Sequence, residues 1–244
     1  MPDVDDFEAR NRRFVDAMGQ DEALREATRK WFELATRQEY SYHFEWLGRP
    51  IIQFPQDLMA MQELIWRVRP EVIVETGVAR GGSLIFYASM LELLGGDGRV
   101  IGIDIDIRRH NRQAIDAHPM RDRIEMLEGS SVAEDVVARV HDKVAGRPAL
   151  VALDSLHTHE HVLGELRAYA PLVRPGGYLV VFDTIIEFLP ADFYPDRPWS
   201  HGNNPWSALQ AFLCECDRFE IDRSIPDKLQ ITVAPDGYLK CVKD

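Results

Sequence analysis

V-I-V-E-T-G-V-A-R-G-G-S-L, residues 72–84, decides the fold. Residues 72–75 are a continuous apolar run closing on an acid, the pattern of a short strand covered on both faces. Gly77, Gly81 and Gly82 follow, and from Ser83 onward Leu84, Tyr87, Met90, Leu91 and Leu94 take up helical spacing. Strand, glycine turn and helix N-terminus form the nucleotide-binding corner of an open α/β sheet. Glycine lets a ligand approach the backbone, and the free N–H groups of the first helical turn favour its polar end. The spacing is not the G-x-G-x-x-G of dinucleotide enzymes, because the glycines after Gly77 are Gly81 and Gly82.

Outward from this corner the chain alternates strands with helices. Further strands are predicted over 99–103, 124–127, 149–153 and 178–182, with Asp104, Asp154 and Asp183 at or just past their ends. Amphipathic helices lie between them, and Gly95-Gly96-Asp97-Gly98, Gly146 and Pro175-Gly176-Gly177 supply the breaks. Ser131-Val132-Ala133-Glu134 has the form of a capping box, with Val132, Val136, Val137 and Val140 as the buried face of the helix behind it. Asn204-Pro205 reads as an N-cap and first helical residue. The chain closes with strands over 219–222, 229–233 and 238–242, the last two joined as a hairpin through Pro235-Asp236-Gly237. This order predicts a doubly wound, mostly parallel α/β sheet with its site at the strand C-termini.

Two domains are expected: a helical and aromatic N-terminal extension over residues 1–50, and a cofactor-binding domain over 51–244. In the extension a helix over 21–37 carries Leu24, Thr28, Trp31, Phe32 and Ala35 on one side. With Tyr40, Tyr42, Phe44 and Trp46 these aromatics pack on the sheet domain; a substrate wall or a homo-oligomer contact are the alternatives. Residues 184–204, rich in Pro, Asp and aromatics, read as a long functional loop.

A net charge of −12 over 244 residues argues against a nucleic-acid partner, which needs Lys and Arg in excess on one face. Cys214, Cys216 and Cys241 match no zinc spacing and suit a reducing compartment. The acidic start is no signal peptide, and no run approaches the ~18–20 apolar residues of a membrane span. A cytoplasmic protein is expected.

Asp104 at the tip of the second strand is where this fold holds ribose hydroxyls, with Asp106 as its understudy. Ser130, after the third strand, is placed to face an adenine. Asp154 and Asp183 end neighbouring strands and should converge, where two carboxylates repel unless a proton or cation intervenes. A hard divalent cation, Mg²⁺ for preference, fits between them; separate helix-dipole contacts are the plainer reading. His157, His159 and His161 flank the start of a helix near Thr158, so their rings cannot all point one way. His157, nearest Asp154, is the candidate catalytic base, because imidazole suits proton removal near neutral pH.

E-x-G-x-x-x-G, with the acid before the first glycine, resembles the S-adenosylmethionine (SAM) loop of class I methyltransferases. The resemblance extends further. V-E-T-G-V-A-R-G-G-S (74–83), I-G-I-D (101–104), A-L-D-S-L-H-T-H-E-H-V (152–162), V-V-F-D-T (180–184), G-N-N-P (202–205) and I-T-V-A-P-D-G-Y-L-K (231–240) are similar to the cephalosporin hydroxylase family over about four-fifths of the chain. Members of that family resemble SAM-dependent O-methyltransferases of antibiotics and of sugars, rhamnosyl residues included. The resemblance implies a seven-stranded, Rossmann-like class I methyltransferase fold, SAM and Mg²⁺ as cofactors, and a sugar or natural-product hydroxyl as acceptor. It implies cofactor contacts at Glu75, Gly77, Ser83 and Asp104, and metal ligands at Asp154 and Asp183, with Asp154 beside His157 in the chemistry. One departure stands out: an acid precedes the second metal aspartate in the antibiotic branch, and here the residue is Phe182. His157 is then a candidate third ligand. An NAD-dependent oxidoreductase, or a nucleotide-binding module without catalysis, would share the strand order and Asp104.

Overall fold

The computed structural model describes residues 4–244. Two helices open the chain, α1 (Val4–Gln20) and α2 (Glu22–Thr36), the second capped by the Asp21 carboxylate, which accepts from Leu24 N at 3.0 Å. A short antiparallel hairpin, β1 (Phe44–Trp46) and β2 (Arg49–Ile51), leads to α3 (Pro55–Val68). Then come β3 (Val72–Thr76), α4 (Gly82–Leu94), β4 (Arg99–Asp104), α5 (Arg109–Asp116), β5 (Ile124–Glu128), α6 (Glu134–Val144), β6 (Ala149–Leu153), α7 (His159–Tyr169) and β7 (Tyr178–Val181). The last elements are α8 (Pro205–Glu215), β8 (Phe219–Ile221), α9 (Ser224–Leu229) and β9 (Tyr238–Cys241).

The sheet runs β5-β4-β3-β6-β7-β9-β8 and is parallel from β5 to β7, with β9 antiparallel to both β7 and β8. The strand order reverses at β3, so the crevice above β3, β4 and β6 is where such a sheet takes its ligand. Burial on both faces explains why β3 opens with three apolar residues in succession. Ile73 joins the core beneath α3 and α4, while Val72 and Val74 join the core beneath α6, α7 and α8. Each such fully buried aliphatic side chain stabilises the fold by about 1.5–3 kcal/mol.

The aromatic extension packs rather than hangs free. Phe32 stacks on Phe54 at 4.8 Å, and Trp46 meets the Phe86 ring at 4.9 Å while its Nε1 donates to Ser89 Oγ at 3.0 Å.

Two local expectations are corrected. Residues 229–233 are not a strand: α9 occupies Ser224–Leu229, Gln230 turns the chain at φ +60°, and β9 pairs with β7 and β8 instead. Thr232 and Val233 give their donors to the buried Asp57 carboxylate, which outcompetes a ladder. Nor does Ser131 cap α6. The helix begins at Glu134 behind an Ala133 cap, because Ser131 Oγ donates to the buried Glu165 carboxylate at 2.5 Å, and Val132 is left exposed.

Candidate active site

The end of β3 carries Glu75 and the glycine loop into the crevice. Gly77 sits at φ +90°, and a Cβ there would collide with the Asp154 carbonyl oxygen. Its amide donates to Ile103 O at 2.8 Å, so the loop is wedged between the ends of β4 and β6. No other residue satisfies both demands. Asp104 holds the loop from the opposite side: Oδ2 accepts from Val78 N at 2.8 Å and Ala79 N at 3.2 Å, and Oδ1 from Asp106 N at 3.0 Å. A carboxylate has about four acceptor positions, so Asp104 retains one for a ribose hydroxyl. Asp106 is largely exposed beyond it, and Ser130 is half-buried at the end of β5. Asp104→Ala is expected to weaken SAM binding by tenfold or more while the sheet stays folded. Calorimetry showing unchanged affinity would remove Asp104 from the site.

Glu75 is fully buried, and Ser83 Oγ donates to its Oε2 at 2.6 Å. The two predicted cofactor residues therefore meet each other first. Burial pushes the Glu75 carboxyl up to about 8 against the hydrogen bonds from Ser83 and Tyr87. Among the described residues Glu75 has no ion-pair partner, and a buried acid with an unmet charge suits the ammonium of an amino-acid cofactor. The folded state holds this proton to higher pH than the unfolded chain does, so its contribution to stability is lost as pH rises between about 4.5 and 8. The Tm of the free protein should fall over that range, and Glu75→Gln should flatten the fall. An equal slope in the variant would assign the effect to other groups.

Across the loop, β6 and β7 bring Asp154 and Asp183 together, and His157 joins them. One ligand atom from each of the three lies within 4.8 Å of the others. His157 Nε2 is 3.5 Å from Asp183 Oδ2. Burial pushes the Asp154 carboxyl well above the carboxylate range, and the charge and hydrogen bond of Asp183 and the charges of Glu75 and Glu165 push the same way. A cluster of acids that must retain a proton when alone offers strong stabilisation to a divalent cation. Phe182 takes no part, since its side chain is buried in the core beneath α3 and α4. His157, in the turn after β6, stands beside the two aspartates instead.

The three histidines part company as the turn into α7 requires. His159 Nδ1 meets Ser207 Oγ at 2.9 Å, and His161 Nε2 meets Ser131 Oγ at 3.0 Å beside Glu165. Only His157 faces the acids. Trp199, from the long loop, closes edge-on against the His157 ring at 4.8 Å, and its buried Nε1 has no partner among the described residues. Burial and the charge of Asp183 raise the Tyr194 hydroxyl above its usual range, with Tyr42 of the extension acting on it in turn. The G-N-N-P turn fixes this loop: Asn203 Oδ1 accepts from His159 N at 3.0 Å, and Asn204 caps α8 while its Nδ2 donates to Ser200 O at 2.9 Å.

Sequence reading passed over Asp57, Tyr87, Glu165 and Trp199. Asp57, in the first turn of α3, looks like a helix-dipole residue; only the fold shows it buried against Thr232, Val233 and Tyr238. Glu165 sits one turn after His161 in what reads as an ordinary amphipathic helix.

Strand order and glycine corner are those of the class I methyltransferase fold, and the family match that follows makes the chain a SAM-dependent O-methyltransferase. Residues 38–242 match the rhamnosyl O-methyltransferase/CmcI family, and the chain belongs to it. It is 28% identical over 188 residues to a rhamnosyl O-methyltransferase of Mycobacterium tuberculosis, covering 75% of this chain and 72% of that one. The Mycobacterium leprae protein of the same name is 27% identical over 198 residues, covering 80% and 81%. Among solved structures, CmcI with Mg and SAM superposes with a TM-score of 0.57 at 20% identity, over 82% of this chain and 77% of that one. An O-methyltransferase from Bacillus cereus in complex with SAH gives 0.51 at 15% identity, over 82% of each. These two likenesses are of fold.

Proposed function

We propose that the chain methylates a sugar hydroxyl, a rhamnosyl residue for preference, at a site made by Asp154, His157 and Asp183 with the help of a divalent cation. The convergence of those three side chains beside the glycine loop carries this reading. The mycobacterial relatives, named for a rhamnosyl acceptor, support the choice of sugar.

Glu75 and Ser83 would receive the amino-acid end of SAM, Asp104 its ribose, and Ser130 its adenine. SAM, when bound, supplies an electrophilic methyl group on sulfur. Asp154 and Asp183 would hold the cation, Mg²⁺ or Mn²⁺, which when bound supplies positive charge where an acceptor hydroxyl must lose its proton. His157 takes that proton at Nε2, the nitrogen turned toward Asp183. Trp199 fixes the ring from its edge, so the base keeps one orientation. Tyr42, Tyr194 and Trp199 give residues 1–50 and the 184–204 loop a shared part as the lid that selects the acceptor. Positioning of this kind supplies much of a methyl transfer's acceleration. The three free thiols suit work in the cytoplasm.

A thermal-shift comparison of SAM, NAD and NADP tests the cofactor. A ligand at ~100 times its Kd stabilises by about 2.7 kcal/mol, and SAM alone should do so. Stabilisation by NAD and not SAM would overturn the reading.

A further inference from the structure

We propose that Asp57 is a positioning residue for Asp183, holding it where the cation is bound; the inference rests on the metal role just given to Asp183. Asp57 is fully buried in the first turn of α3, and among the described residues no Lys, Arg or His pairs with it. Burying a carboxyl without a cation costs several kcal/mol unless hydrogen bonds replace water. Here three do: Thr232 Oγ1 donates to Oδ1 at 2.5 Å, Tyr238 OH to Oδ1 at 2.7 Å, and Val233 N to Oδ2 at 3.0 Å. All three donors belong to one short stretch, residues 232–238.

That stretch in turn grips the chain on both sides of Asp183. Before it, Val181 N donates to Gly237 O at 2.8 Å. After it, Thr184 Oγ1 donates to Pro235 O at 2.5 Å and Ile185 N to Val233 O at 3.1 Å. Asp183 itself sits at φ +55°, a conformation that asparagine and aspartate tolerate but that the surroundings must impose. The chain carrying this ligand is thus fastened at three residues, Val181, Thr184 and Ile185, to a loop whose own anchor is Asp57. Nothing in the proposed chemistry uses Asp57 directly, so its cost is explained by what it holds.

Asp57→Asn keeps the size and turns an acceptor into an amide that cannot accept from Val233 N–H and Thr232 together with Tyr238. Mn²⁺ titration followed by electron paramagnetic resonance on the full chain reads the result without turnover. Mn²⁺ affinity should fall by about 10–100-fold, the usual cost of losing an outer partner of a metal ligand, with SAM affinity changed by less than about twofold. A folded Asp57→Asn protein that binds Mn²⁺ like the wild type would overturn the inference. So would an equal loss of Mn²⁺ and SAM affinity, the mark of a merely structural residue. If Asp57→Asn does not fold, Thr184→Val cuts one fastening downstream: weaker Mn²⁺ binding supports the chain of contacts, and unchanged binding breaks it. A wild-type protein that binds no Mn²⁺ would remove the metal reading and this inference with it. Wild-type binding with an indifferent variant removes the inference alone.

Discussion

Asp154→Asn is expected to cut kcat by about 10³-fold or more, with SAM still bound. The Asp154 side chain is the centre of the acid cluster, acted on by Asp183, Glu75 and Glu165 at once. An amide keeps its volume and removes the charge that would hold a cation. A loss of 10³ corresponds to about 4 kcal/mol of transition-state stabilisation, within the several kcal/mol that a catalytic metal supplies. Cofactor binding should survive because what Asp154 gives the glycine loop is its backbone: Gly77 packs against the carbonyl oxygen. Calorimetry of SAM binding beside single-turnover transfer separates the two effects. Activity within tenfold of wild type would remove Asp154 from the chemistry.

His157→Ala is expected to lower kcat by about 10²–10⁴-fold, the range of a general base, and to leave Mn²⁺ affinity within about threefold. The second half of that expectation carries the assignment. His157 lies close enough to Asp154 and Asp183 to act as base or as third ligand. A base leaves the cation in place when it is removed, whereas a ligand takes much of the affinity with it. A large fall in Mn²⁺ affinity would make His157 a ligand, and a loss in kcat below tenfold would return it to a structural role.

Much of the fold was legible because its signals are local. The continuous apolar run of β3, the glycines after it and the acids closing β4 and β6 each follow from a few neighbouring residues. The 229–233 stretch misled for the opposite reason. Its β-branched composition suits a strand, but Asp57, more than 170 residues earlier, takes its donors. Ser131 misled in the same way, since its S-x-x-E spacing is genuine but its hydroxyl bonds to Glu165, 34 residues on, and α6 has no side-chain cap. The meeting of Asp154 with Asp183 could be read from strand order. The edge contact of Trp199 on His157 could not, because it depends on how a long loop is folded back by Asn203 and Asn204.

Transfer of labelled methyl from SAM to a rhamnosyl glycoside, measured in EDTA and again after Mg²⁺ or Mn²⁺ is restored, tests the account most directly. The account predicts O-methylated sugar with metal, none in EDTA, and recovery on restoring the cation. Full turnover in EDTA, by protein shown to contain no metal, would contradict it.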